Sequence, residues 1–163
     1  MPPKGSSLAA QPLSLRRPVM SIAASAAQAT SSAATVVPDV QRSNFLPRLF
    51  GQRHFLAGEA QIFDTMRLLS PADYHGGFWE FYEHAGEPLY LAPKSQNLFR
   101  ISWHGNGYEG EVSADAVGII ATLFALSDLA ITHQDPLLGD AFHRLYEFAR
   151  GHAEAAEIGS AID

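Results

Sequence analysis

Residues 114 to 130 form a long apolar segment that limits what the rest of the chain can fold into. Most positions are Ala, Val, Ile, Leu or Phe, and the polar residues fall mainly near the two ends. A helix that is apolar on all sides must be buried on all sides. Ser113 is a suitable N-cap, and Asp115 places a carboxylate in the first turn, where the helix dipole favours negative charge. We therefore predict a central core helix.

The same segment does not have the pattern of a membrane span. A bilayer core about 30 Å thick needs about 20 apolar residues, whereas Asp115, Thr122, Ser127 and Asp128 interrupt this segment. We predict no membrane partner and a cytoplasmic location. The chain contains no cysteine, which excludes disulfides, thiolate catalysis and cysteine-ligated metals.

Four short segments upstream of the core helix have the composition of β-strands. They are residues 78–84, 89–92, 98–103 and 108–112. Turn residues separate them, and Asn106-Gly107 is typical of a type I′ hairpin. We predict an α+β fold: an antiparallel β-meander of about four strands packs against the buried central helix, with further helices at the N- and C-terminal ends of the domain.

Those further helices follow from apolar spacing. Large apolar side chains recur near helical spacing in residues 55–69 and 136–150. Ser70-Pro71 ends the first of these segments, and Asp135-Pro136 begins the second. Residues 154–163 are interpreted as a short final turn.

Residues 1 to 43 differ in composition from the remainder. They are rich in Ala, Ser and Pro and lack regularly spaced large apolar side chains. We predict a disordered extension over residues 1–43 and a single domain over residues 44–163. Arg16-Arg17 before an Ala/Ser-rich segment loosely imitates a secretory signal, and translation from Met20 is the plainer alternative.

The distribution of charge indicates the kind of partner. Residues 1 to 43 contribute +3 to the formal net charge of −6, so the predicted domain carries −9. An acidic domain argues against direct binding of nucleic acid. Its carboxylates form either a solvated face or a patch that steers the chain toward a basic protein surface. Mimicry of DNA is an alternative, but it needs a dense stripe of like charge, about one per 1.7 Å.

Short chemical motifs point to no reaction. Gly105, Gly107 and Gly110 spell a dinucleotide-binding pattern, but Glu109 and Glu111 would repel an anionic cofactor. The seven histidines have no metal-ligand spacing, and no G-x-S-x-G motif is present. We predict no catalytic residue, no metal and no cofactor, with an uncharacterised enzyme as the lesser alternative.

Several longer motifs occur in order through the domain. They are NFLPRLFG (44–51), YHGGFWEFYE (74–83), YLAP (90–93), GNGYEGEVSADAVGI (105–119), FALSDLA (124–130) and AID (161–163). Together they resemble the plasmid-encoded antirestriction proteins of the KlcA/ArdB type. The resemblance implies a small α+β fold without known catalytic activity that antagonises host type I restriction–modification enzymes and protects incoming plasmid DNA. It does not indicate which subunit is the target.

We predict that an acidic and aromatic surface contacts the restriction enzyme. Strand alternation can leave the carboxylates solvent-facing, and the last residue adds a second carboxylate beside the terminal one. A general interaction module is the alternative. The predicted contact residues are Glu80, Tyr82, Glu83, Asn106, Glu109, Glu111, Asp115 and Asp163.

Overall fold

A computed structural model describes residues 33–163. The expected disorder of residues 1–32 lies outside the described residues. Helices and strands alternate in blocks along the chain, as in an α+β fold. The elements are β1 (Thr35–Val36), a 3₁₀ helix (Asp39–Asn44), α1 (Phe45–Phe50), α2 (Phe55–Leu69), β2 (Trp79–His84), β3 (Glu87–Pro93), β4 (Phe99–Trp103), β5 (Tyr108–Val112), α3 (Ala114–His133), α4 (Pro136–Ala149) and α5 (Ala155–Ile162).

The predicted core helix is α3. Its first turn is capped by Ser113, whose Oγ accepts the Ala116 N–H at 3.1 Å. It ends three residues later than predicted, at His133, where Gln134 takes a left-handed conformation with φ of 52°. By length and composition α3 could cross a membrane, but 67% of its most apolar window is buried inside the fold. It is the centre of the hydrophobic core.

The α+β class, with antiparallel strands and a buried central helix, is confirmed. The strands differ from a single four-stranded meander in two respects: β1 is an additional strand, and the meander is divided after β3. In residues 33–163 they form a three-stranded sheet ordered β1-β2-β3 and a separate β4-β5 hairpin, so β3 and β4 do not pair.

The helix α3 explains the break in the meander, because it covers the outer edge of β3. The Leu91 N–H donates to Thr122 Oγ1 on α3 at 3.4 Å. One turn earlier in α3, Gly118 lies so close to β3 that a Cβ there would be 2.4 Å from the Leu91 carbonyl oxygen. Since the backbone groups of Leu91 face a helix, no further strand can be added on that side.

The hairpin predicted at Asn106-Gly107 is confirmed, but its turn is not type I′. Trp103 pairs with Tyr108, which leaves four residues in the loop. Gly107 has φ of 74°, whereas Asn106 is not among the described residues with positive φ. A type I′ turn needs positive φ at both central residues.

The structure differs from the prediction at both ends of the predicted domain. Within residues 154–163, Ala155–Ile162 form the helix α5 rather than a turn. Upstream of the predicted boundary at residue 44, β1 pairs with β2, and Val37 is only 3% exposed. The Val37 N–H donates to the Phe81 carbonyl at 2.7 Å. This segment has no apolar side chain larger than valine, but β2 offers an open edge that a short strand can fill.

Candidate functional site

Three of the predicted contact residues line one polar cleft. Glu80, Tyr82 and Asp115 meet where β2, the loop after β3 and the first turn of α3 come together. The cleft has a volume of about 350 Å³, and Lys94 and Asn97 add further polar groups to its lining. It is the part of the predicted surface that the structure brings together.

A stacked tyrosine pair holds one side of this cleft. Tyr82 on β2 lies opposite Tyr90 on β3 in the strand register, and their rings are parallel within 3° at a centroid distance of 4.7 Å. Tyr82 donates its hydroxyl to Glu80 at 3.1 Å, and Tyr90 donates to Asp115 at 2.6 Å. The stack therefore fixes the position of two carboxylates.

Burial and the adjacent carboxylates keep these tyrosines protonated. Burial, with the hydrogen bond to Glu80, raises the pKa of Tyr82 to about 12. Burial and the bond to Asp115 raise the pKa of Tyr90 still further. Both hydroxyls therefore remain hydrogen-bond donors near neutral pH.

Asp115 joins the tyrosine pair to the C-terminal part of the chain. Its second oxygen lies 2.9 Å from His152 Nε2. In the neutral ring His152 Nδ1 accepts the Glu154 N–H at 3.0 Å, so Nε2 is then the nitrogen that donates to Asp115. Burial opposes ionisation of Asp115, but the bonds from His152 and Tyr90 outweigh it and lower its pKa. The bond to Asp115, opposed by burial, raises the pKa of His152.

Glu154 and Glu157, near the C-terminus, also form hydrogen bonds to the start of α3 and to the β4-β5 hairpin. The Glu154 carboxylate accepts the Ser113 N–H at 2.9 Å and the Ser113 hydroxyl. Tyr108 donates its hydroxyl to Glu157, and burial together with that carboxylate raises the pKa of Tyr108 to about 12. The polar groups at the N-terminus of α3 are thus satisfied by residues about 40 positions later.

The Asn106 side chain forms hydrogen bonds to other parts of the same chain. Its side-chain amide donates to the main-chain oxygens of Ser160, Ala161 and Asp163 at 2.9, 3.3 and 3.2 Å, and its Oδ1 accepts the Tyr108 N–H at 2.9 Å. Asn106 therefore caps the end of α5, where carbonyl groups would otherwise lack partners. The exposed Asp163 side chain lies beside this cap.

The remaining predicted residues lie elsewhere on the molecule. Glu109 and Glu111 are exposed on β5, as strand alternation predicted. Glu83 is half-buried on β2, opposite Thr35 of β1. The structure therefore places the predicted residues in four locations instead of one patch: the cleft, the end of α5, the β5 surface and the β1–β2 pair.

Sequence reasoning missed Tyr90, Lys94, His152 and Glu154. A cross-strand partner for Tyr82 could have been found by aligning the two predicted strands, since paired residues on one sheet face are neighbours. His152 and Glu154 carry no local signal, because their partners lie 37 and 41 residues earlier. Among residues 33–163, no group of three or more His, Asp or Glu side chains is arranged to hold a metal ion.

Comparison with known proteins places the cleft inside a recognised family region. Residues 72–163 match the family model described as "Antirestriction protein", and this range includes every predicted contact residue. Two Escherichia coli proteins named antirestriction protein KlcA are 48% and 44% identical to the chain; each match covers 80% of the chain and 92% or 94% of the relative.

A solved structure shares the fold. It is described as showing a novel fold for the KlcA and ArdB proteins and antirestriction activity against type I DNA restriction systems in vivo but not in vitro. The TM-score is 0.72 at 44% sequence identity, over 80% of this chain and 94% of that chain.

Proposed function

Because the chain belongs to the antirestriction protein family, we propose that it antagonises type I restriction–modification enzymes and so protects incoming plasmid DNA. The observation that carries this proposal is the identity of 44 to 48% over nearly the full length of the KlcA relatives, together with the shared fold. The antagonism takes place in the cytoplasm, where such enzymes meet unmodified DNA.

The proposed mode of action is contact with the restriction enzyme through acidic surface. Glu109 and Glu111 are exposed on β5. Arg100 faces Glu111 across the hairpin, but its guanidinium bonds go to Asp73, at 2.6 and 3.0 Å. Those bonds lower the pKa of Asp73 to about 2. Among residues 33–163 Glu111 forms no ion pair, so its exposed carboxylate can still contact a basic partner.

Protein contact also agrees better with the placement of the carboxylates than DNA mimicry does. A mimic presents a continuous stripe of charge, whereas the carboxylates of Glu80 and Asp115 are held by tyrosines in the cleft and those of Glu109 and Glu111 lie on the hairpin. The protein would then be steered to a basic protein surface and would not imitate a DNA duplex.

The bonding of Ser113 supports inhibition by binding rather than by catalysis. A serine nucleophile needs a base to take its proton and an oxygen lone pair that is free to attack a substrate. The Ser113 oxygen accepts the Ala116 N–H as a helix cap, its hydroxyl donates to Glu154, and His152 Nε2 is directed to Asp115. The KlcA relatives are named for antirestriction and not for an enzyme activity.

A plating assay tests the function. Unmodified phage is plated on a host with a type I restriction system, with and without this gene, because the relatives' activity is described in vivo but not in vitro. We expect the gene to raise plating efficiency. Failure of the wild-type chain to do so, when it is expressed and folded, would refute the proposed function.

The contact surface is tested in the same host. Glu109→Lys combined with Glu111→Lys should keep the fold, because exposed charges contribute little to stability, and should lose protection. Asp163→Ala tests the chain end, and Asp128→Lys, exposed on α3, is the matched control. Full protection by both folded test variants would place the contact elsewhere.

A further inference from the structure

The cleft beside Tyr82 is rigid before anything enters it. Its two carboxylates, Glu80 and Asp115, are each held by a tyrosine hydroxyl, and the two tyrosine rings are stacked on one another. Tyr90 is only 1% exposed, so its ring, which stacks on Tyr82, is fixed by packing in the core. A ligand that binds to fixed groups avoids the entropy cost of ordering them.

The charge at the cleft favours a cation. Lys94 is an exposed side chain whose Nζ already lies 3.2 Å from Glu80 Oε1, so this carboxylate accepts an amine from the chain itself. Asp115 is bonded to the neutral Tyr90 hydroxyl and to His152. Glu154, which is bonded to Ser113 at the same end of α3, adds further negative charge. Even with His152 protonated, the three carboxylates outnumber the two cations, so one negative charge remains for a cation from outside.

The chemistry of the lining, two carboxylates beside an aromatic ring, favours a guanidinium group over an ammonium group. A guanidinium is planar, donates through several N–H groups and stacks on aromatic rings, whereas an ammonium is a compact point charge. Each carboxylate has about four lone-pair sites, and in residues 33–163 Glu80 and Asp115 each contact two polar side chains. Acceptor capacity therefore remains beside the Tyr82 ring.

Two exposed apolar side chains lie in the cleft lining or next to a residue of that lining. Phe78 is 86% exposed and Leu98, which also lines the cleft, is 54% exposed. The Phe78 carbonyl accepts the Lys94 N–H at 2.8 Å, which places Phe78 next to the residue that already binds Glu80. A free cation would gain nothing from these side chains, but an aromatic anchor beside a charged pocket is typical of protein interfaces.

We propose that this cleft binds an arginine side chain of a protein partner, with the guanidinium between Glu80 and Asp115 against Tyr82 and an adjacent apolar residue against Phe78. The inference rests on the proposed function, since it names the partner group that would occupy the site. Lys94 acts as an internal competitor for Glu80. A partner arginine must displace it to form its own charge-assisted hydrogen bonds.

The full chain is titrated with two short peptides, and backbone amide signals are followed by NMR. One peptide carries an arginine beside a leucine, and the other carries citrulline, which has nearly the same shape without the charge. We expect the arginine peptide to shift the signals of Tyr82, Lys94 and Leu98. The citrulline peptide should bind at least about tenfold more weakly, because it cannot form charge-assisted bonds.

Three variants make the test specific. Glu80→Gln should weaken binding of the arginine peptide about tenfold, the effect of losing one charged partner. Lys94→Gln should strengthen it severalfold, because it removes the competitor. Asp128→Asn is the matched control and should bind like the wild type, since it lies on the same helix about 20 Å from Asp115. Equal binding of the citrulline peptide, or no effect of Glu80→Gln, would overturn the proposal.

The plating assay separates this inference from the proposed function. Glu80→Gln should reduce phage protection, and Asp128→Asn should retain it. If Glu80→Gln loses peptide binding but protects fully, the cleft does not contact the partner, and the proposal is overturned while the function stands. If the wild-type chain does not protect, the function fails, and the peptide titration alone decides what the cleft binds.

Discussion

Replacing Gly118 with alanine tests the close crossing of α3 over the edge of β3. A Cβ at this position would lie 2.4 Å from the Leu91 carbonyl oxygen, 2.5 Å from Ala92 Cβ and 2.6 Å from Ala92 Cα. None of these atoms belongs to a flexible side chain that could rotate away. The helix and the strand must therefore separate to admit one methyl group.

The magnitude follows from two opposing effects. In an open helix, glycine to alanine raises stability by about 1 kcal/mol. Overpacking a core costs about 1 to 3 kcal/mol, and contact with backbone atoms places this site at the upper end. Separation would also weaken the bond between the Leu91 N–H and Thr122. We expect a net loss of about 2 kcal/mol in the free energy of unfolding, or roughly 4 to 8 °C in Tm.

Circular dichroism of thermal and urea unfolding measures this loss. The matched control is Gly139→Ala in α4, where no atom lies within 4 Å of an added Cβ. That variant should gain about 0.5 to 1 kcal/mol, since only the conformational freedom of glycine is removed. If Gly118→Ala is as stable as the wild type, or more so, the close crossing of α3 and β3 is refuted.

Two further predictions concern stability. A chain that begins at Asn44 should be less stable in urea than one that begins at Ala33, by about 2 kcal/mol for the burial of Val37; equal midpoints would show that β1 and Val37 contribute nothing. His152→Gln should flatten the pH dependence of stability above the ordinary histidine pKa of 6.5. Because the folded pKa of His152 is raised, its stabilising effect is complete below 6.5 and is lost as pH rises through the folded pKa; identical pH profiles for variant and wild type would contradict this role.

Much of the fold could be predicted from local sequence. The start of α3 depends on Ser113 and Asp115 within one turn, and α2 was predicted with the bounds that the structure has. The strands β2 to β5 were each predicted within a few residues. The exposure of Glu109 and Glu111 followed from alternation along one strand. In each case the signal and the residue it describes lie within a few positions of each other.

The candidate site was predicted only in part. Glu80, Tyr82 and Asp115 were named from composition and resemblance, and the structure joins them in one cleft. Asn106 was named with them, but its amide is used to cap α5, a helix that the sequence reasoning had treated as a turn. A capping role of this kind cannot be read from a dipeptide, because the carbonyls it satisfies lie 54 to 57 residues away.

The amino-acid sequence by itself determined the buried helix, the number and approximate positions of the strands from β2 to β5, and, through its longer motifs, the family. These follow from hydrophobic period, capping residues and turn residues, which act over short distances along the chain. Only the tertiary structure decided that α3 covers the edge of β3 and separates the two sheets, that Thr35–Val36 completes the sheet at β2, and that His152 and Glu154 reach back to α3. Once the core has formed, some strand edges and buried polar groups still lack hydrogen-bond partners. They pair with whichever groups the packing brings within reach, and those groups can lie far away along the chain.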